Sequence, residues 1–277
     1  MTRFINSIVD IAEDYDAIVF DQWGVLHDGS APYPFAIDTL NALKAKGTVL
    51  AVLSNSGKRA APNAKRIASF GFKDMFSTVM TSGEALWQGF SKGMLKETRL
   101  FAIERDAGDA MEWAQGLALE FTGIEQAEAI LLMGLPENAA ENYCSAELKT
   151  ALAKSLTVYC SNPDRASPRA GGTRVIAPGT LAHEYAQAGG PVTFYGKPHR
   201  AVFDALQAAL GCSRILMVGD SIEHDIAGGT AAGWDTLLVQ GGLYKNEFAS
   251  QPASQVLASL CAKYDAAAPT YQIELLS

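Results

Sequence analysis

Short apolar stretches alternate with amphipathic ones along the chain, and this alternation predicts an α/β protein. Residues 17–20 are a continuous apolar run, and residues 48–53 are apolar after Thr48; both stretches are too short for buried helices and typical of strands buried in a parallel sheet. The segments 36–46 and 62–70 place apolar residues at helical spacing, and a glycine follows each of them. Strand, helix, strand and helix in this order indicate a doubly wound sheet.

The same alternation returns near the C-terminus. Its predicted strands are 192–195, 214–218, 236–239 and 271–275, the last at a sheet edge, and its predicted helices are 200–210 and 225–232. At the other end of the chain, residues 4–13 carry apolar side chains at helical spacing and predict an amphipathic helix.

The two halves are separated by a long segment with elements of its own. Residues 83–190 contain further apolar runs that predict strands at 99–103, 129–133 and 156–160. We therefore predict a discontinuous core made of residues 1–82 and 191–277, with an α/β domain inserted at 83–190.

Four of the predicted core strands are followed directly by polar residues that carry chemistry. These residues are Asp21, Ser54, Lys197 and Asp220, and Asp225 lies five positions beyond the last of them. We expect the four strands to deliver them to one edge, because the carboxyl ends of parallel strands meet there. Carboxylates suit Mg²⁺, and a carboxylate can also attack phosphorus. A hydroxyl and an ammonium group would stabilise a phosphoryl group in transfer.

Charge and cysteine content exclude several classes of protein. The net charge is −8, with 30 acidic and 22 basic residues and no basic cluster, which disfavours binding to nucleic acids and to membrane surfaces. The four cysteines form no C-x-x-C pair, so a disulfide framework or zinc site is not expected. No signal peptide or run of about 20 apolar residues is visible, and we expect a cytoplasmic protein.

The motifs around these residues resemble a known superfamily. They are D-x-x-G-V-L-x-x-G from Asp21, S-N-S-G-K-R from Ser54, S-N-P-D at 161–164, G-K-P at 196–198 and G-D-x-x-x-x-D-I from 219. Together they resemble the haloacid dehalogenase (HAD) superfamily, and most closely its subclass IIA with the NagD-like and p-nitrophenyl phosphate phosphatases. The resemblance implies a Rossmann-like core, an inserted α/β cap domain and a Mg²⁺-dependent phosphatase acting on a small phosphate monoester through an aspartyl-phosphate.

The resemblance also implies a role for each motif residue. Asp21 would be the nucleophile and a Mg²⁺ ligand, and Lys197 would neutralise charge. Ser54 and the backbone of Asn55 would hold the phosphoryl group. The remaining Mg²⁺ ligands would be Asp220, Asp225 and the backbone carbonyl of Trp23. Residues of the inserted domain that would contact the substrate are Asn162, Asp164 and Arg165. Relatives often dimerise through the cap, so a homodimer is an open expectation.

One position departs from the family pattern. The family's phosphatases carry an acid–base aspartate two residues after the nucleophile, and this chain has Trp23 there. General acid–base catalysis is worth about 10²–10⁴ in rate. Three explanations are open. His27 or Asp28 on the same loop could replace the acid, the substrate could have a good leaving group, or the protein could be a weak or inactive enzyme that binds phosphorylated ligands.

Trp23 also raises dehalogenation as an alternative, because that reaction needs neither a metal nor an acid for the halide. It would leave Asp220 and Asp225 without a cation, and clustered carboxylates repel one another. We therefore rank it below phosphoryl transfer.

Overall fold

The computed structural model of the chain describes residues 2–137, 139–140, 142–168 and 174–276. They group into two compact units. Unit 1 contains the described residues of Met1–Ser54, Ala61–Met80 and Lys197–Ser277, and unit 2 contains those of Asn55–Ala60 and Thr81–Gly196. The division into a core domain and an inserted cap domain stays a prediction.

The described elements follow the predicted alternation along most of the chain. The strands are β1 (Arg3–Phe4), β2 (Ala17–Phe20), β3 (Val49–Ser54), β4 (Thr78–Thr81), β5 (Arg99–Ile103), β6 (Glu120–Phe121), β7 (Ala129–Leu132), β8 (Thr157–Cys160), β9 (Ala166–Pro168), β10 (Arg174–Ile176), β11 (Val192–Phe194), β12 (Ile215–Gly219), β13 (Asp235–Val239) and β14 (Tyr271–Ile273). The α-helices are α1 (Ala36–Ala45), α2 (Ala60–Ile67), α3 (Ser82–Ser91), α4 (Asp109–Trp113), α5 (Ser145–Ala153), α6 (Pro178–Gln187), α7 (Arg200–Leu210), α8 (Ala227–Ala232), α9 (Lys245–Ser250) and α10 (Ala253–Tyr264).

Unit 1 is built on a seven-stranded sheet with the order β1-β14-β13-β12-β2-β3-β4. The pairings from β1 across to β3 are all parallel. All four residues of β2 and all five of β12 are buried, which explains their continuous apolar sequences. Phe20, Leu40 and Val218 are among the fully buried residues of the cluster that packs on this sheet.

Unit 2 has a five-stranded sheet of its own, with the order β11-β8-β7-β5-β6 and parallel pairing throughout. The strands β9 and β10 form a separate antiparallel pair. The core of this unit packs around Ile130, Val158 and Leu181, each of which is at most 1% exposed. Both units are thus α/β structures, and the predicted fold class is confirmed.

The pairing of one predicted strand and the type of one predicted helix are wrong. The strand predicted at 192–195 exists as β11, but it pairs with β8 in the sheet of unit 2 and not with the strands of unit 1. Its apolar sequence marks it as a strand without showing which neighbour it will pair with. The helix predicted at 4–13 is a two-residue strand, β1, followed by a 3₁₀ helix at Ile8–Asp14 whose N-terminus is capped by the Ser7 hydroxyl.

Candidate active site

Two acidic side chains follow neighbouring strands of the unit 1 sheet. Phe20, the last residue of β2, lies opposite Val218 of β12, and the Asp21 N–H donates to the Val218 carbonyl at 2.9 Å. Asp220 comes directly after β12. On the other side of β2, Phe20 lies opposite Val52 of β3, the strand that ends in Ser54. The parallel register therefore brings Asp21, Ser54 and Asp220 to one edge, as predicted.

Lys197 reaches this edge by another route. It does not end a strand of the unit 1 sheet, because β11 belongs to unit 2, and the prediction that four strands of one sheet deliver the polar residues is wrong for this residue. Its ammonium group nevertheless donates to Asp21 Oδ1 and to Asp225 Oδ1, both at 2.7 Å. The side chains of Lys197 and Asp225 are 3% and 1% exposed, and that of Asp21 is 17% exposed. The ammonium is thus a buried bridge between two carboxylates.

Backbone donors hold the other two carboxylates in place. Asp225 lies in the π-helical turn Ile222–Ile226 that leads into α8, and its Oδ2 accepts the Ser221 N–H at 3.1 Å. Asp220 Oδ2 accepts the Leu243 N–H at 2.8 Å. Both carboxylates therefore have fixed orientations, which a metal site requires.

Two glycines, which the sequence analysis did not single out, make room for Asp220. A β-carbon at Gly24 would collide with Asp220 Oδ2, and one at Gly242 would collide with the Asp220 β-carbon. Gly24 also has a φ of +77°, a conformation that glycine adopts without strain. The G-G pair after β13 is the signal that could have drawn attention to position 242.

The carboxylates outnumber the cationic groups in this cluster. Burial, together with the charges of Asp21 and Asp225, raises the pKa of Asp220 well above its ordinary value. Burial also raises the pKa of Asp225, although Lys197 opposes the rise. For Lys197, burial disfavours the charged form, but the carboxylates of Asp21 and Asp225 outweigh it and raise the pKa. One ammonium does not neutralise three carboxylates.

The donor set of this cluster fits a hard divalent cation. Asp21, Asp220 and Asp225 each offer a carboxylate oxygen, and these oxygens lie within 4.8 Å of one another. Aspartate oxygens are the ligands that Mg²⁺ and Ca²⁺ prefer. A cation would also offset the surplus negative charge. The acidic cluster can therefore hold a metal.

Two family models match the segments that carry these residues. Residues 18–115, which contain Asp21 and Ser54, match a haloacid dehalogenase-like hydrolase model. Residues 194–262, with Lys197, Asp220 and Asp225, match a HAD-hydrolase-like model. The chain belongs to the haloacid dehalogenase-like hydrolases. The family predicted from the motifs is confirmed.

Characterised members of the family are similar to this HAD hydrolase over most of its length. Human chronophin is 27% identical over 286 residues, which cover 97% of this chain and 93% of chronophin. Human glycerol-3-phosphate phosphatase is 25% identical over 260 residues, which cover 83% of this chain and 80% of that protein. The predicted enzyme class, a phosphoric monoester hydrolase of HAD type, is confirmed.

Solved structures share the fold of this HAD hydrolase. A haloacid dehalogenase-like hydrolase from Brucella suis covers 99% of this chain and 100% of its own, with 25% identity and a TM-score of 0.81. A p-nitrophenyl phosphatase from Archaeoglobus fulgidus covers 95% and 97%, with 23% identity and a TM-score of 0.75. Glycerol phosphate phosphatase Rv1692 from Mycobacterium tuberculosis, solved in complex with magnesium, covers 90% and 74%, with 20% identity and a TM-score of 0.71.

The loop after β2 carries the position where this HAD hydrolase departs from its family. Trp23 is 41% exposed, and its indole packs on Gly29, where a β-carbon would collide with the ring. His27 is 1% exposed and lies between Trp23 and Phe70, with ring centroids 5.7 Å and 4.5 Å away. Burial and the nearby charge of Arg66 lower the pKa of His27 to about 4. The imidazole is therefore neutral at pH 7.

Asp28, the other candidate for a substitute acid, is part of an exposed turn. Its Oδ1 accepts the N–H groups of Ser30 and Ala31 at 2.8 and 2.9 Å, and the Ser30 hydroxyl at 2.7 Å. The hydrogen bonds from Ser30 and Ala31 lower the pKa of Asp28 to about 2. Asp28 is thus an anion held by its own turn.

The remaining predicted residues of this HAD hydrolase belong to unit 2. The Asn55 amide donates to Asp164 Oδ1 at 2.7 Å, so these two side chains, far apart in sequence, are partners. Asn162 Oδ1 accepts the Asp164 N–H at 3.1 Å, and Arg165 is exposed. The hydrogen bond to Asp164 engages the Asn55 side chain. The predicted role of the Asn55 backbone in holding phosphate, and those of the other three residues in contacting substrate, stay predictions.

Across the described residues, no helix combines the length and the apolar character that a membrane-spanning helix requires.

Proposed function

We propose that this HAD hydrolase is a Mg²⁺-dependent phosphatase that hydrolyses a small phosphate monoester through an aspartyl-phosphate on Asp21. The observation that carries the proposal is the convergence of the carboxylates of Asp21, Asp220 and Asp225, two of which, Asp21 and Asp225, share the buried ammonium of Lys197. The magnesium in the Mycobacterium tuberculosis phosphatase structure, whose fold this chain shares, supports the choice of metal. The family resemblance implies a small phosphorylated metabolite, for which sugar phosphates are the first class to test.

Four groups of this chain would hold the metal. They are the carboxylates of Asp21, Asp220 and Asp225 and the backbone carbonyl of Trp23. When bound, Mg²⁺ would offset the negative charge of the phosphoryl group during transfer. The Leu243 and Ser221 N–H groups keep two of these carboxylates oriented before any metal arrives.

Asp21 would act on phosphorus with its carboxylate. Oδ1 accepts a hydrogen bond from the Lys197 ammonium at 2.7 Å, which fixes the orientation of the attacking carboxylate. Attack forms an Asp21–phosphorus bond while the bond to the leaving oxygen breaks. Ser54, with the Asn55 backbone, would hold the equatorial phosphoryl oxygens. Water then attacks phosphorus, which releases inorganic phosphate and restores the Asp21 carboxylate.

Phosphate release from p-nitrophenyl phosphate and from a panel of sugar phosphates, with and without Mg²⁺, tests this function. We expect turnover that requires Mg²⁺ and that Asp21→Asn abolishes, because an amide is a poor nucleophile. Asp38→Asn is the matched control, since Asp38 is an exposed aspartate of α1 in the same unit, and it should retain full activity.

Trapping the intermediate makes the test specific. A short reaction with excess substrate, quenched in acid, should leave one phosphoryl group on the Asp21 peptide in mass spectrometry. If wild type and Asp21→Asn are equally inactive on every substrate, the phosphatase proposal is wrong. Calorimetric binding of inorganic phosphate that depends on Mg²⁺, without any turnover, would instead identify a protein that binds phosphorylated ligands.

A further inference from the structure

The loop that follows Asp21 holds the indole of Trp23 against its own backbone. The indole of Trp23 packs on Gly29, and the carbons Cη2 and Cζ2 occupy the space where a β-carbon of residue 29 would be. The imidazole of His27 meets the same indole edge-on, with 5.7 Å between ring centroids. Gly29 has a φ of +92°, which suits only glycine. The backbone of its own loop therefore holds the indole, while 41% of Trp23 stays exposed.

The backbone before and after Trp23 lies at the carboxylate cluster. Trp23 stands two positions after Asp21 in the chain. The residue after it, Gly24, abuts Asp220, whose Oδ2 fills the space of a β-carbon at position 24. The backbone that carries the indole is thus fixed against the groups that would meet a phosphoryl group.

The two acids considered on the same loop, His27 and Asp28, are both engaged elsewhere. His27 is 1% exposed, its Nδ1 accepts the Gly29 N–H at 3.0 Å, and its Nε2 is buried without a partner among the described atoms. Asp28 is engaged by Ser30 and Ala31 at the exposed turn. The indole of Trp23 donates hydrogen bonds through N–H but does not give up that proton.

We propose that Trp23 determines specificity and restricts the enzyme to aryl phosphates, the phosphate esters of phenols. The inference rests on the proposed function, in which Asp21 attacks phosphorus. Phenol-type oxygens resemble that of tyrosine, with a pKa of about 10, and depart as anions far more readily than alkoxides do. An alkyl ester depends on a general acid, whose help is worth about 10²–10⁴ in rate. The exposed indole offers the aromatic ring of such a leaving group a surface to pack on.

The step balances without a protein acid. An Asp21 oxygen forms a bond to phosphorus as the bond from phosphorus to the aryl oxygen breaks, and the electron pair of the broken bond stays on that oxygen. The aryloxide leaves and takes a proton from water. A second water attacks phosphorus, the Asp21–phosphorus bond breaks, and the proton of that water is lost to solvent.

Five substrates, assayed with the wild-type enzyme and Mg²⁺, separate the effect of the leaving group from the effect of the aromatic ring. Phenyl phosphate and 4-nitrophenyl phosphate have an aromatic ring and a stable leaving anion. Benzyl phosphate has the ring but an alkoxide, acetyl phosphate has a stable anion without a ring, and glycerol 3-phosphate has neither. We expect kcat/KM, which reports the step in which the leaving group departs, to be roughly 10²-fold or more higher for the two aryl phosphates than for benzyl phosphate and glycerol 3-phosphate. Acetyl phosphate should turn over rapidly with a high KM.

Substitutions at position 23 test the missing general acid and the contact with the aromatic ring separately. Trp23→Asp should raise kcat/KM for benzyl phosphate by roughly 10²-fold, because it places a carboxyl group on the loop. Trp23→Ala should raise KM for phenyl phosphate by roughly 2- to 10-fold and leave that for acetyl phosphate unchanged, because only the aryl ester has a ring to lose contact with the indole. Trp23→Phe is the matched control and should keep the wild-type substrate order. Circular dichroism and thermal melting establish that each variant is folded.

The wild-type series is decisive even if a variant fails to fold. Equal kcat/KM for phenyl, benzyl and glycerol phosphates would overturn the inference about Trp23 while leaving the proposed phosphatase intact. No turnover of any of the five substrates, acetyl and 4-nitrophenyl phosphate included, would overturn the proposed function and the inference together.

Discussion

Both parallel sheets of this protein have an acidic residue at the end of a strand, but the two acids meet different partners. Glu104 follows β5 in unit 2, and its two carboxylate oxygens accept the N–H groups of Gly108 and Ala110 at 3.0 and 2.7 Å, at the start of α4. Asp21 follows β2 in unit 1 and shares the ammonium of Lys197 with Asp225. An acid directly after a parallel strand thus accepts hydrogen bonds from the start of a helix in unit 2 and joins a cluster of charges in unit 1.

The difference shows what identifies a candidate catalytic acid. Neutral backbone donors satisfy Glu104, and no further ligand is needed there. At Asp21, three carboxylates lie close together and only two of them share one ammonium, so the surplus negative charge calls for a cation. Strand-end position alone does not distinguish the two cases, because a single acid after a strand is equally suited to both.

Removing one acid from each sheet gives the largest contrast. Asp220→Asn should lower kcat for 4-nitrophenyl phosphate at fixed Mg²⁺ by at least about 10²-fold and raise the Mg²⁺ concentration needed for half-maximal activity, because a charged ligand is lost. Glu104→Gln, of matched chemistry, should leave both values unchanged. A Mg²⁺ titration of initial rates measures both. An equal loss in the two variants would contradict the distinction between the two acids.

Removing the ammonium from the cluster tests its charge balance. Lys197→Met leaves the buried carboxylates of Asp21 and Asp225 without their partner, and we expect the free energy of unfolding to fall by about 3–5 kcal/mol without metal. Added Mg²⁺ should restore more stability to this variant than to wild type, because it replaces the lost positive charge. Urea denaturation with and without Mg²⁺ measures both quantities. If Mg²⁺ affects the variant and wild type equally, the cation does not bind among these carboxylates.

The buried imidazole beside the cluster should make stability depend on pH. The pKa of His27 is lowered to about 4 in the folded chain, so between this value and the ordinary 6.5 only the unfolded chain takes up the proton. Stability should therefore fall as pH drops, by roughly 2 kcal/mol between pH 8 and pH 5. Denaturation curves of wild type and His27→Phe at both pH values give the contribution. A variant with the same pH dependence as wild type would exclude His27 as its source.

The smallest effect is expected at the acid that has only a structural role. Glu104→Ala removes the acceptor for the Gly108 and Ala110 N–H groups and should lower the free energy of unfolding by about 1 kcal/mol, as the loss of a helix cap does. Glu104→Gln keeps an acceptor oxygen and should lose less. Thermal melts of the two variants give the order. Activity on 4-nitrophenyl phosphate should not change in either.

Local sequence predicts much of this fold because several of its strands are buried along their whole length. The runs 17–20 and 129–133 contain β2 and β7, which are buried at every position, and a strand covered on both faces leaves no polar position within it. Helix 200–210 coincides with α7, which ends at Gly211 in the left-handed conformation. In the site, Asp21, Ser54 and Asp220 could be placed because the register of parallel strands fixes where their ends meet.

What could not be predicted depends on contacts between distant parts of the chain. The sequence of β11 marks a strand, but its pairing with β8 decides that it belongs to unit 2. The hydrogen bond between Asn55 and Asp164 joins two motifs that the sequence analysis treated as independent. The packing of Trp23 on Gly29 depends on the conformation of the loop after β2, about which the pattern of apolar residues carries no information.

The crowding around Asp220 has a consequence for how mutational scans of this protein would be interpreted. Gly24 and Gly242 contribute no functional group, yet any side chain at either position would displace the Asp220 carboxylate. In a saturation screen for activity, both positions should tolerate no replacement and rank beside the charged residues. Intolerance there would report the volume that a neighbour occupies, so a map of essential positions would outline the space around the carboxylate as well as its chemistry.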